Sequence, residues 1–269
     1  MRLVRLAVLL IFWPLFFVAA LLLHSLLFVS GSRRRWRSMS RVINRNFAAF
    51  VRTLLNIKVR VEGEVKGAES GGYCIVTNHM GYIDGIVLGS LFPIIYVSKK
   101  EVRGWPWIGQ WTALCGTIFI DRQRKDRIPL LVGEIAEKLD QKANVLLFPE
   151  GTSTNGDRLL PFQSALFAAP LRARAPILPV TLSYRNVDHQ PLTTANRDRV
   201  YWYGDMEFLG HFWELLAVRR IEVTVQIHPT IETSRYRNDS SGRKALSQAS
   251  YDSIAGKGKT AEERQASFY

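Results

Sequence analysis

From Leu6 to Val29 the chain is almost wholly apolar, broken only by Pro14, His24 and Ser25. At about 1.5 Å of rise per residue, these 24 residues can cross a bilayer with some tilt. Arg2 and Arg5 precede the run, as they would in a secretory signal. The apolar stretch outlasts a signal core, however, and leads into a basic cluster instead of a small-residue cleavage site. It reads as a retained anchor, either a span or, with Pro14 near its middle, a re-entrant hairpin. Arg33, Arg34, Arg35 and Arg37 outnumber the two arginines ahead of the run. The positive-inside rule then places the downstream domain in the cytoplasm, and at the inner membrane if the cell is bacterial.

The formal net charge of +13 calls for a polyanionic partner, and its distribution says which. Residues 1–61 hold no Asp or Glu, so the basic excess flanks and follows the apolar run. That favours an anionic membrane, and the chain shows neither zinc-finger spacing nor an aromatic RNA-binding signature, so nucleic acid is set aside. Cys74 and Cys115 are too few for a disulfide framework and read as buried thiols. Between Val42 and Leu55, apolar residues at helical spacing leave Asn44, Arg45 and Arg52 on the opposite side. This pattern suits an interfacial amphipathic helix or a helix facing the core.

Beyond Lys58 short apolar runs alternate with helical patterns. Strands are predicted at Tyr73–Thr77, Ile94–Ser98, Thr117–Ile120, Val145–Phe148, Ile177–Ser183 and Ile221–Ile227, the last an edge because it alternates with Thr224 and Gln226. A helix is predicted over Ile128–Asp140, capped by Asp126, with Pro129 in its first turn and a stripe of Ile128, Leu131, Ile135 and Leu139. The expected fold class is α/β: a mixed, largely parallel sheet flanked by helices, with the N-terminal anchor attached. The expected division is an anchor over 1–57, a catalytic domain over 58–234 and a polar, flexible tail over 235–269.

Polar clusters follow three of these strands: Asn78 to Asp84, Asp121-Arg122, and Pro149 to Ser153. In open α/β sheets ligands gather at the carboxyl ends of strands, so the clusters converge on one edge. His79 and Asp84 have the chemistry of a general base and its orienting carboxylate. Five residues along a regular helix would leave them about 140° apart, so the chain must bend, and Gly81 permits this. No serine sits in a nucleophile elbow and Cys74 lies inside a strand, so direct attack by a substrate hydroxyl is the simpler scheme.

These blocks resemble the glycerolipid acyltransferases of the lysophosphatidic acid acyltransferase type. The Asn-His-x4-Asp motif is met by Asn78, His79 and Asp84, and Gly116 to Arg122 matches the second block. Phe148 to Thr152 reads Phe-Pro-Glu-Gly-Thr, and Pro176 to Val180 matches the proline-containing fourth strand. The resemblance covers roughly residues 58–230. It implies transfer of an acyl group from acyl-CoA or acyl-carrier protein to a lysolipid hydroxyl, with no metal and no bound cofactor. It implies His79 as base, Asp84 as its partner, and Asn78, Arg122, Glu150, Gly151 and Thr152 at the acceptor's polar head. Glu150, a carboxylate, suits a glycerol hydroxyl or Arg122 better than a phosphate.

The chain departs from the family at two cations. Ser153 stands where many phosphatidate-forming members have arginine, and Gln163 where a lysine is usual. Arg122 and Lys99-Lys100 are the expected replacements, and Trp105-Pro106-Trp107 beside them suits a membrane interface or a buried core. The expected acceptor is 1-acyl-sn-glycerol 3-phosphate, giving phosphatidic acid, with lyso-ornithine lipid as the alternative. A lipid or thioester hydrolase and a non-catalytic lipid-binding protein are the other classes.

Overall fold

The computed structural model describes residues 1–29, 33–64, 71–105, 108–121 and 124–256. In chain order the elements are α1 (Arg2–Val29), α2 (Arg33–Leu54), β1 (Ile57–Glu62), β2 (Cys74–Thr77), α3 (Tyr82–Leu91) and β3 (Ile94–Lys99). Then come α4 (Ile108–Leu114), β4 (Ile118–Ile120), α5 (Ile128–Asp140), β5 (Asn144–Leu147), α6 (Ala168–Arg172) and β6 (Ile177–Val187). The last are β7 (Gln190–Pro191), α7 (Phe208–Leu215), β8 (Ile221–Ile227) and α8 (Ser240–Ile254). One sheet has the order β1-β8-β6-β2-β5-β3-β4, with β7 paired to β6. Among the described strands, β6 pairs antiparallel with β7 and β8, and the other strand pairings are parallel.

Every residue of β2 and β5 is buried, as continuous apolar strands require when both faces of the sheet are covered. Their side chains alternate between two cores. Ile75 and Leu146 pack with Ile83, Val87 and Leu88 of α3. Cys74, Val76, Val145 and Leu147 pack with Leu131, Ile135 and Leu139 of α5 and Leu246 and Ile254 of α8. The mixed, mostly parallel sheet flanked by helices agrees with the expectation. Both cysteines are buried and free.

Four expectations need correction. β8 is not an edge: it lies between β6 and β1, and β1, unpredicted as a strand, takes the edge. Asp126 does not cap α5. It sits in a preceding 3-10 turn, ion-paired with Arg124, and the cap position falls to Arg127, although Pro129 is in the first turn. Asn44 is 4% exposed, facing the domain with its amide towards the Ile94 carbonyl, so the polar side of α2 is partly an interior one. Part of the expected tail is helical, with α8 spanning Ser240–Ile254. Asp239 caps α8 by accepting from the Gly242 amide, and Leu246, Ser250 and Ile254 enter the core. Residues 257–269 lie outside the described residues.

The apolar N-terminal helix is a candidate membrane anchor: Arg2–Leu23 is long and apolar enough to cross a membrane, and little of it is buried. Its first turn is nonetheless fixed to the domain. The buried Arg5 guanidinium donates to the carbonyls of Leu216 and Val218, and Arg2 pairs with Glu214. Phe12 meets Phe50 while Phe16 meets Phe47, so α2 returns antiparallel to α1. Leu10, Ile11, Leu15, Val18 and Leu22 of α1 remain exposed.

Candidate active site

Parallel pairing of β2 with β5 sets a register offset of 71 residues (Cys74 with Val145, Val76 with Leu147). Carried three residues past the last pair, Val76 with Leu147, that offset places His79 beside Glu150. The His79 amide indeed donates to Glu150 Oε1 at 2.8 Å, while Glu150 Oε2 accepts from the Leu160 amide at 2.9 Å. Thr154 completes the hold by donating its amide to the His79 carbonyl at 2.9 Å. The His79 backbone is thus fixed on both sides, and its ring stacks on Phe148 with centroids 3.8 Å apart.

The bend foreseen at Gly81 occurs where α3 begins. A Cβ at Gly81 would lie 2.9 Å from the Trp202 amide nitrogen, so the close passage of these two backbones needs glycine. Asp84, in the first turn of α3, then folds back. Its Oδ2 accepts from the Met80 amide at 2.6 Å, the Gly81 amide at 2.9 Å and His79 Nδ1 at 2.8 Å. One carboxylate therefore closes the helix N-terminus and orients the imidazole. Its Oδ1 accepts from the Tyr184 hydroxyl at 2.6 Å. Asp84 is 0% exposed and the His79 side chain 17%, so the pair is oriented from inside while the ring's edge reaches solvent. With Nδ1 taken by a carboxylate, Nε2 is the basic nitrogen.

Of the remaining expected residues, Asn78, Glu150 and Gly151 lie around this pair with their polar groups already engaged. Asn78 clamps β6, accepting from the Leu182 amide at 2.8 Å and donating to its carbonyl at 3.0 Å. Gly151, at φ 75°, makes the turn itself, and its amide donates to the Phe148 carbonyl. Thr152 is exposed on the same loop. Burial lifts the Glu150 carboxyl above its usual range, against the pull of the two amides, and the charge of Asp84 adds to the rise. Arg122 lies outside the described residues, as do Pro106 and Trp107. Asp121 pairs with Lys100 at 2.7 Å, three strand spacings from β2, or about 14 Å. Lys99 sits over the rings of Trp105 and Trp202. Tyr184, Thr154 and Phe148 contact the pair and were not foreseen as site residues. Tyr184 alternates with Val180 and Leu182 and looks like one more core residue.

A family model described as Acyltransferase matches residues 58–183, a span that includes His79, Asp84, Phe148, Glu150 and Thr154 but neither Tyr184 nor Trp202. The lyso-ornithine lipid O-acyltransferase of Brucella abortus is 31% identical over 200 residues, 70% of this chain and 74% of that one. The chain belongs to the acyltransferase family. It is an O-acyltransferase of the lysophospholipid type, and both acceptor classes occur among its relatives. The 1-acyl-sn-glycerol-3-phosphate acyltransferase of Neisseria gonorrhoeae is 28% identical over 154 residues, 57% of this acyltransferase and 58% of its relative. The fold is shared with the crystal structure of PlsC, the 1-acyl-sn-glycerophosphate acyltransferase of Thermotoga maritima. That likeness has a TM-score of 0.61 and 18% identity, and covers 99% of this chain and 98% of that one.

Proposed function

We propose that this acyltransferase works by direct attack of a lysolipid hydroxyl on the thioester of acyl-CoA or acyl-carrier protein, with His79 as general base. The observation that carries the reading is the 2.8 Å contact between His79 Nδ1 and a fully buried carboxylate. The hydroxyl proton passes to Nε2, and the acceptor oxygen bonds to the acyl carbon. The carbon–sulfur bond breaks, and the imidazolium returns its proton to the departing thiolate. Asp84 stabilises the imidazolium between these steps. Glu150, held between two amides, is a positioning group for His79 in this scheme and not a ligand of the acceptor.

The acceptor we propose is lyso-ornithine lipid, in preference to the 1-acyl-sn-glycerol 3-phosphate expected above. A phosphate monoester carries close to two negative charges and needs cations, whereas an amino-acid headgroup with a free amine and carboxylate is a zwitterion. Ser153 and Gln163 supply no cation, Lys100 is paired with Asp121, and Lys99 lies against two indoles. Similarity to the Brucella enzyme is also higher and longer than to the Neisserial one. The phosphate reading keeps Arg122, which lies outside the described residues, and one observation: Arg158, without an ion pair among the described residues, lines a cleft of about 320 Å³ beside Asn78 and Glu150. Purified enzyme should acylate lyso-ornithine lipid with the larger kcat/KM when both acceptors are offered with both donors and products are weighed by mass spectrometry. A larger value for 1-acyl-sn-glycerol 3-phosphate overturns this acceptor. Fatty acid release without acceptor would instead indicate a hydrolase.

Membrane docking through the α1–α2 hairpin completes the reading. A crossing hairpin would carry Arg41, Arg45 and Arg52 through the hydrocarbon, which is costly, so the hairpin is placed in the plane of one leaflet. The net charge of +13 suits the anionic cytoplasmic face. Full-length protein should stay on anionic vesicles in high salt, and Leu15→Asp with Leu22→Asp, both on the exposed stripe, should make binding salt-sensitive. Release of the wild type by salt alone would remove the hydrophobic anchor.

A further inference from the structure

Tyr184 lies on β6, 100 residues after Asp84, and nothing in the motif pattern points to it. Parallel pairing of β6 with β2 sets Thr77 beside Val180. β6 then runs on past the end of β2, so Tyr184 hangs over the start of α3. Its ring is held edge-to-face by Tyr201, with centroids 5.3 Å apart, and the residue is only 6% exposed. The hydroxyl has one described partner, Asp84 Oδ1, at 2.6 Å. The other carboxylate oxygen already takes three donors, from His79, Met80 and Gly81.

We propose that Tyr184 is a positioning residue of the acyl-transfer centre, extending the His79–Asp84 pair to a Tyr184–Asp84–His79 relay of fixed hydrogen bonds. The inference rests on the reading of His79 as base. Burial first, and the charge of Asp84 second, push the phenol well above its ordinary range. Tyr184 therefore keeps its proton and serves only as a donor, and no proton moves along the relay beyond the imidazole. A tyrosine that merely filled the core would need no hydroxyl here, and phenylalanine would serve.

The donation does two things. It fixes the rotation of the carboxylate, so that Oδ2 stays aligned on the imidazole Nδ1. It also draws charge towards Oδ1, which moderates how strongly Asp84 holds the imidazolium. Among the described residues, the other titratable groups facing this pair are Glu150 from the loop after β5, Tyr82 from α3, and Tyr201. Without the hydroxyl, Asp84 binds the imidazolium more tightly, and the base is freed only at higher pH.

In Tyr184→Phe, kcat should fall roughly tenfold with little change in the KM of either substrate. The acid limb of the kcat/KM profile should rise by about one pH unit. The thermal midpoint should stay near the wild-type value because the ring remains. Placing 3-fluorotyrosine at position 184 strengthens the donor and should move the same limb the other way, which keeps the test open if phenylalanine disturbs folding. A superimposable pH profile in both variants, or a rise in KM with kcat intact, overturns the inference. His79→Ala separates this from the underlying reading: an inactive His79→Ala beside an unshifted Tyr184→Phe rejects the relay alone.

Discussion

His79→Ala is expected to abolish measurable acyl transfer while leaving the fold and membrane binding in place. Loss of a general base typically costs about 10²–10⁴-fold, and more where no neighbour substitutes. None does here, because the nearest carboxylates, Asp84 and Glu150, are buried and committed to backbone amides. The fold should survive, since His79 is held by its backbone and its ring merely covers Phe148. Asp84→Asn is the companion case. An amide nitrogen turned towards His79 would force the imidazole into the wrong tautomer, and turned the other way it would face the Tyr184 hydroxyl. Turnover should drop by about as much as for His79→Ala, with some added instability from the weakened start of α3. Steady-state kinetics beside thermal unfolding checks both, and full activity in a folded His79→Ala variant removes the mechanism.

The contact between His79 and Asp84 was legible because its constraint is local. His79, Gly81 and Asp84 lie within six residues, and a strand end followed by a helix start leaves few ways to arrange them. α5 was legible to the residue because its apolar stripe and Pro129 act within single turns. What escaped depends on pairing across the sheet. Glu150 reaches His79 only through the 71-residue offset between β2 and β5, so by itself it looks like a solvent-facing ligand. Tyr184 reaches Asp84 only because β6 outruns β2. Ile57, Val59 and Val61 alternate as a strand should, but the expected boundary between residues 57 and 58 cuts through this run, and no strand was predicted there. Alternation with Thr224 and Gln226 marked β8 as an edge, whereas β1 pairs along its outer side. In α8 the inward stripe is built largely from small residues, Gly242, Ser247 and Ser250, beside Leu246 and Ile254, and composition alone hid its periodicity.

Glu150→Gln separates the two roles that residue has been given, and its expected result is a loss of kcat of about 10²-fold with the acceptor KM nearly unchanged. The carboxylate accepts from two backbone amides on different loops, and glutamine offers one acceptor oxygen where two are needed. Its amide nitrogen must therefore face either the His79 or the Leu160 N–H, donor against donor, and one loop has to move. A displacement of about 1 Å at the base is enough for a hundredfold loss in rate. The buried amide left without an acceptor should also lower stability by about 1–3 kcal/mol. A second readout comes from charge. Replacing the carboxylate removes a negative group next to His79 and Asp84, so the imidazolium is less favoured and the acid limb of kcat/KM should move to lower pH. That direction is opposite to the one expected for Tyr184→Phe, although both variants lose kcat. If Glu150 instead held a hydroxyl of the acceptor, its loss would appear mainly as a higher acceptor KM, with kcat and stability close to wild type. That outcome would return Glu150 to the substrate and leave the register of β2 and β5 without a catalytic consequence.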